Sequence, residues 1–266
     1  VIRRPPWQAP CSGHHPLPGR GPTALRILLI NPNTTASVTD LVAGHVRAIA
    51  GPGVTLVPAT GRFGARYISS RAAAAIAGHA ALDAFAEHGA GCDAVYLACF
   101  GDPGLAALRE VSPVPVVGMA DAACRAAHAG GRRFAIVTGG VLWGPMLSEF
   151  VAGLGLGDHL TGVRTVAPTG GEIAADPEAA LGLLAAACSA CVREDGAEAV
   201  ILGGAALAGL AARIQPAVPA PVLCSVEAGT RAVLAAGAGG ERRTCEAPPL
   251  ASYGLSTALA ALLAGD

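Results

Sequence analysis

The sequence predicts an α/β fold of two pseudosymmetric lobes, each a four-stranded, mainly parallel sheet flanked by helices, with a ligand cleft between them. Three observations carry this reading: short Val/Ile/Leu runs alternate with Ala-rich helical stretches, the pattern occurs twice, and Gly-, Asn- or Thr-rich turns follow four of the runs. Uninterrupted apolar strands separated by helices are the signature of a parallel sheet covered on both faces.

In chain order the first-half strands are Ile27 to Ile30, Val54 to Val57, Ala94 to Ala98 and Val114 to Val117. The second-half strands are Phe134 to Val137, Val163 to Val166, Ala199 to Leu202 and Val222 to Leu223. Asn33 and Thr34 suit the start of a helix near Ala36, because Asn and Thr side chains accept from exposed amides there. Another helix is expected from about Pro103, directly after the third strand.

The repeat is explicit. GCDAVYLACFGDPGLAA (Gly91 to Ala107) matches GAEAVILGGAALAGLAA (Gly196 to Ala212) at a spacing of 105 residues. PVPVVGMADAACRA (Pro113 to Ala126) pairs with PAPVLCSVEAGTRA (Pro219 to Ala232), one residue further apart, and RILLINPN (Arg26 to Asn33) parallels RFAIVTGG (Arg133 to Gly140). Two copies of one unit imply two similar lobes about a pseudo-twofold axis. The repeat halves are 25–130 and 131–237. The expected lobes are 25–118 with a C-terminal helix in 238–266, and 119–237. Residues 1–24 are Pro-rich without a hydrophobic period and are expected to be a disordered or mis-assigned extension.

Composition narrows the chemistry. All 18 basic residues are Arg, so a pyridoxal phosphate Schiff base, a class I aldolase amine and a Walker A lysine are excluded. A net charge of -1 with scattered Arg gives no nucleic-acid footprint. The longest uncharged apolar stretches, Ala199 to Ala212 and Leu255 to Gly265, fall short of the roughly 18 residues that span a bilayer, so no membrane association is expected. Eight Cys without an N-terminal secretory pattern read as reduced thiols of a cytoplasmic protein.

Ligands of parallel sheets sit beyond the carboxyl ends of strands. Four turns stand there in twofold-related pairs: Asn31 to Thr34 with Thr138 to Gly140, and Cys99 to Gly101 with Gly203 to Ala205. Cys99 at a strand end before a helix is expected to gain thiolate character from the helix dipole. Its twofold mate is Gly204. Cys188 and Cys191 form a C-x-x-C inside an Ala-rich helix with no second ligand pair, and read as core. Asp102 and Glu110 read as helix-start and surface residues, and the Pro168 to Glu172 loop as a weak candidate for the cleft mouth. No metal site is indicated.

INPNT (Ile30 to Thr34), ACFGDPGLAALRE (Ala98 to Glu110), PVVGMADAA (Pro115 to Ala123) and EDGAEAVILGGAALAGLA (Glu194 to Ala211) resemble the aspartate/glutamate/hydantoin racemase superfamily, nearest its hydantoin and allantoin racemase branch. The resemblance covers residues 25–237. It implies a cofactor-independent isomerase in which two thiols exchange a proton at a carbon alpha to a carbonyl or carboxylate, while adjacent backbone amides hold the enolate. It further implies a small-molecule substrate and a homo-oligomer. On this basis Cys99 is the proton carrier, and Asn33, Phe100, Gly101, Thr138, Gly139, Gly204 and Ala205 surround substrate. The chain departs from the family at one point: where the racemases read LGC it reads Leu202-Gly203-Gly204. A single-thiol decarboxylase resembling arylmalonate decarboxylase, a cis-trans isomerase resembling maleate isomerase, and an inactive small-acid binder stay open as alternatives.

Overall fold

A computed structural model of the chain describes residues 24–167, 169–240 and 248–265. The expectation made for residues 1–24 lies, apart from Ala24, outside the described residues.

The first half runs β1 (Leu25–Asn31), α1 (Ala36–Ala50), β2 (Val54–Thr60), α2 (Arg71–His88), β3 (Ala94–Leu97), α3 (Leu105–Val111), β4 (Val116–Gly118) and α4 (Met119–His128). The second runs β5 (Phe134–Gly139), α5 (Trp143–Gly153), β6 (Leu160–Val166), α6 (Gly170–Ala175), α7 (Pro177–Arg193), β7 (Ala199–Leu202), α8 (Leu210–Ile214), β8 (Val222–Cys224) and α9 (Ser225–Ala238). A last helix, α10 (Thr257–Ala264), follows. The strands form two four-stranded sheets, ordered β2-β1-β3-β4 and β6-β5-β7-β8, with every pair parallel. The fold class is therefore the predicted one.

The repeat holds down to single hydrogen bonds. The Asp93 carboxylate accepts from the Arg26 amide, and the Glu198 carboxylate from the Arg133 amide, each at 2.8 Å. Ala98 N donates to Ile30 O and Gly203 N to Val137 O; Asp102 N closes a turn on Cys99 O and Leu207 N closes one on Gly204 O. Gly104 and Gly209 then take the left-handed conformation before α3 and α8.

Period-two alternation sends the two faces of each strand into different cores. Ile27 and Leu29 join Phe134, Ile136 and Ile201 in a central cluster, whereas Leu28 and Ile30 face the outer layer with Ala81, Phe85 and Leu108. Both faces are dry, which is why the strands read as unbroken apolar runs. Each fully buried Leu or Ile contributes about 1.5–3 kcal/mol.

Two helices cross over. α4 leaves the first sheet to pack on β7 and β5, and α9 leaves the second to pack on β3, β4 and β1, with α4 and α9 in contact. The Tyr96 hydroxyl on β3 donates to Val226 O on α9, and its ring occupies the space at Gly229, where a Cβ would lie 2.4 Å from the hydroxyl oxygen. This exchange locks the halves together with the carboxyl ends of their central strands facing one space. α10 packs on α2, tied by a hydrogen bond from Ser256 to the buried Asp83 carboxylate.

Candidate active site

In a sheet ordered 2-1-3-4 the chain leaves β1 toward one side and β3 toward the other, which opens a crevice beyond their carboxyl ends. The two sheets supply two such crevices, and they merge into one cavity of about 380 Å³. Asn33, Cys99 and Phe100 line it from the first half; Thr138, Gly139, Gly204 and Ala205 line it from the second. Gly101 does not reach the wall. Its place is one layer behind, where a Cβ would meet the Trp143 ring at 2.7 Å.

The first-half turn is wedged into the second half. Phe100 lies so close to Gly203 that a Cβ there would stand 2.3 Å from the ring. Between the turn-closing bonds of Asp102 on Cys99 and Leu207 on Gly204, the amides of Phe100 and Gly101, and of Ala205 and Ala206, donate to no acceptor among the described residues. Phe100, Ala205 and Ala206 all line the cavity, so their amides suit a developing enolate oxygen.

Asn33 is oriented by its neighbours. Its Oδ1 accepts from Asn31 Nδ2 at 3.0 Å and from the Thr35 amide at 2.8 Å, which leaves the amide nitrogen to face substrate. Asn31 also donates to Thr39 Oγ1 and Thr35 O, so Thr35, not Asn33, is the residue before α1.

Cys99 is buried, and burial first, with the Asp102 charge second, pushes its thiol up to about 12. The expected thiolate character is thereby corrected. α3 begins only at Leu105, and desolvation of the thiolate outweighs any help from its dipole. Asp102 is corrected too. It is buried, and its carboxylate accepts from the Ala120 and Asp121 amides at 2.9 and 2.7 Å, capping α4 and not α3. Burial raises it to about 7 against the lowering effect of those two donors.

Gly204 has φ +138°, a backbone conformation that side-chain-bearing residues avoid. A Cβ built there has room, with Leu207 Cγ at 3.5 Å and Thr138 Oγ1 at 3.8 Å. Thr138 itself is buried, and its hydroxyl has no hydrogen-bond partner among the described residues.

Tyr67, Trp143 and Arg66 on the wall carry no sequence signal of their own, whereas the 169–171 segment was a weak candidate. The Tyr67 hydroxyl donates to Gly139 O at 3.1 Å and accepts from Trp143 Nε1 at 3.2 Å, joining the halves over the cavity. Among the described residues Arg66 is the only charged side chain on the wall. Thr169, Gly170 and Gly171 close another side, with Thr169 held in a reciprocal cap with Glu172. Cys188 and Cys191 are buried in α7, and no group of three metal-ligating side chains occurs among the described residues. No described helix is long and apolar enough to cross a membrane.

A fold of two swapped parallel halves around a buried thiol defines a class, and comparison with known proteins gives its name. The Asp/Glu/Hydantoin racemase family model matches residues 27–233, and the chain belongs to that family. It is 34% identical over 223 residues to a hydantoin racemase of Rhizobium meliloti, spanning 80% of this chain and 90% of that one. The crystal structure of allantoin racemase from Pseudomonas fluorescens superposes with a TM-score of 0.79 at 31% identity, covering 83% of this chain and 94% of that one. Arylmalonate decarboxylase shares the fold alone, at 18% identity and a TM-score of 0.56 over 82% of this chain and 97% of its own.

Proposed function

We propose that the protein is a cofactor-independent isomerase that moves the proton on the ring carbon alpha to a carbonyl in a 5-substituted hydantoin or a related cyclic ureide, with Cys99 as proton carrier. The observation that carries this is that Cys99 lines the inter-lobe cavity beside amides that donate to no acceptor among the described residues. The named activities of its relatives, hydantoin racemase and allantoin racemase, support the substrate class.

The wall suits a neutral ring better than a free carboxylate. Phe100, Tyr67, Ile68, Trp143 and Leu207 provide apolar surface, while Asn33 and the turn amides provide donors at the two ends. Arg66 is exposed at the rim. An enolate oxygen formed next to the Phe100 or the Ala205 and Ala206 amides exchanges no solvent for those dipoles, because they are already in place. A thiol pushed up to about 12 is mostly protonated at neutral pH, yet its thiolate is a strong base, well matched to a weak carbon acid.

The test is hydrogen exchange. Enantiopure 5-methyl-, 5-isobutyl- and 5-benzylhydantoin and allantoin are incubated with the protein in deuterium oxide and followed by proton NMR and chiral chromatography. At least one is expected to gain deuterium at its stereocentre faster than without protein, and Cys99→Ser to lose that gain. A panel that exchanges no faster than its uncatalysed rate would falsify the proposal.

The vacant thiol position at Gly204 favours a second reading, one-sided protonation of an enolate left by decarboxylation. Release of carbon dioxide from a disubstituted malonate, with no exchange of any hydantoin, would establish it in place of the first.

A further inference from the structure

An enzyme that inverts a stereocentre needs a proton carrier on each face of the carbon, and this chain has a side-chain carrier on one. Gly204 stands where the twofold repeat puts the mate of Cys99. The three heavy atoms nearest a Cβ at that point are Leu207 Cγ, Leu207 Cδ1 and Thr138 Oγ1, at 3.5, 3.6 and 3.8 Å. Only the hydroxyl can hold a proton-bearing group. Thr138 is 5% exposed, its side chain has no partner among the described residues, and it lines the cavity. Among the described residues no buried side-chain oxygen is left fully enclosed and unsatisfied, so this hydroxyl opens onto the cavity it lines. Ser225, which accepts from the Gly204 amide, is fully buried and does not line the cavity.

We propose that Thr138 is a positioning residue that holds a water molecule in the space beside Gly204, and that this water is the proton carrier for the second face. The inference rests on the isomerase reading above. A cavity water needs about one water's volume and two to four polar partners; the Gly204 space supplies the volume, and the Thr138 hydroxyl together with the uncommitted turn amides that follow Gly204 on the same wall supplies the partners.

The step balances. The Cys99 thiolate takes the proton from one face of the ring carbon and becomes S–H, while the C–H electron pair passes into the enolate. The water on Thr138 gives a proton to the opposite face, the enolate pair re-forms C–H, and hydroxide is left. Hydroxide then takes the thiol proton, which restores thiolate and water. In the reverse direction hydroxide is the base and the thiol the acid.

The experiment separates exchange from inversion. Wild type, Thr138→Val and Thr138→Ser are compared on the hydantoin that wild type exchanges fastest, in deuterium oxide. Val keeps the shape and the strand preference of Thr but cannot hold water. In Thr138→Val, inversion is expected to fall by about 10²-fold while deuterium entry with retention, which needs only Cys99, continues. Thr138→Ser is expected to restore inversion. Equal loss of both readouts, or loss of neither, overturns the inference and leaves the isomerase reading standing. A wild type that exchanges no probe overturns that reading and this inference with it.

Discussion

The turn after β3 and the turn after β7 are the same backbone carrying different chemistry. Each is closed by one hydrogen bond across three residues, each is anchored to the neighbouring strand through the residue before it, and each ends in a left-handed Gly. One turn holds Cys99 and Asp102; the other holds Gly204 and Leu207 at the matching positions. The first is a buried thiol over a buried carboxyl, and the second is an apolar pocket floor with open space above it. The repeat preserves uncommitted turn amides on both sides of the cavity, while the side chains beside them differ. In the proposed reaction oxyanion binding depends on backbone geometry, which the repeat preserves, and proton transfer on side chains, which single substitutions remove.

Making the turns more alike tests this. Removing the thiol, by Cys99→Ala, is expected to have the largest effect, a loss of about 10³-fold or more in exchange with little change in Tm, read by NMR and thermal melting. Restoring symmetry in the other direction, by Gly204→Cys, adds a thiol where there is room but where φ is +138°. That conformation costs about 1–3 kcal/mol, or about 2–4 °C of Tm for each kcal/mol. In the fraction that folds, inversion rises relative to exchange; an unchanged ratio would show that the two positions do not share a substrate.

Asp102→Asn probes the carboxyl under the thiol. Burial is the main cause of the raised Cys99 pKa and the Asp102 charge the second. Thiolate increases tenfold per pH unit below the thiol pKa, so kcat/KM for proton removal rises with pH through the neutral range. Without the charge, that rise begins at lower pH. The Asn amide cannot accept from both α4 amides, which costs about 1–3 kcal/mol of stability. A pH profile identical to wild type would show that the carboxyl acts only as a cap. The smallest effect is expected from Tyr67→Phe, which removes the donor to Gly139 O and the acceptor of Trp143 Nε1. The loss is about 1 kcal/mol, with KM raised more than kcat lowered if the pair holds the cavity closed.

Much of the fold was legible beforehand. All eight strands lie where the apolar runs stand, with β4 beginning at Val116 instead of Val114 because Pro115 has no amide to pair. Seven of the eight site candidates meet at one cavity because strand ends in a parallel sheet face the same way, and Gly101 misses it by one layer. The Tyr67 and Trp143 pair was not legible. It joins residues 76 positions apart whose nearest neighbours in sequence carry no repeat or period.

By itself the sequence determined the two-sheet architecture, the register of its repeat, and a single thiol at the end of β3 opposite a Gly. These follow from periodicity and turn residues, which act over a few positions. Only the tertiary structure decided that the thiol is protonated at rest, that Asp102 caps the fourth helix, and that α9 leaves its own sheet to pack on the first. Desolvation belongs to everything packed around a group, and no local stretch of chain encodes it.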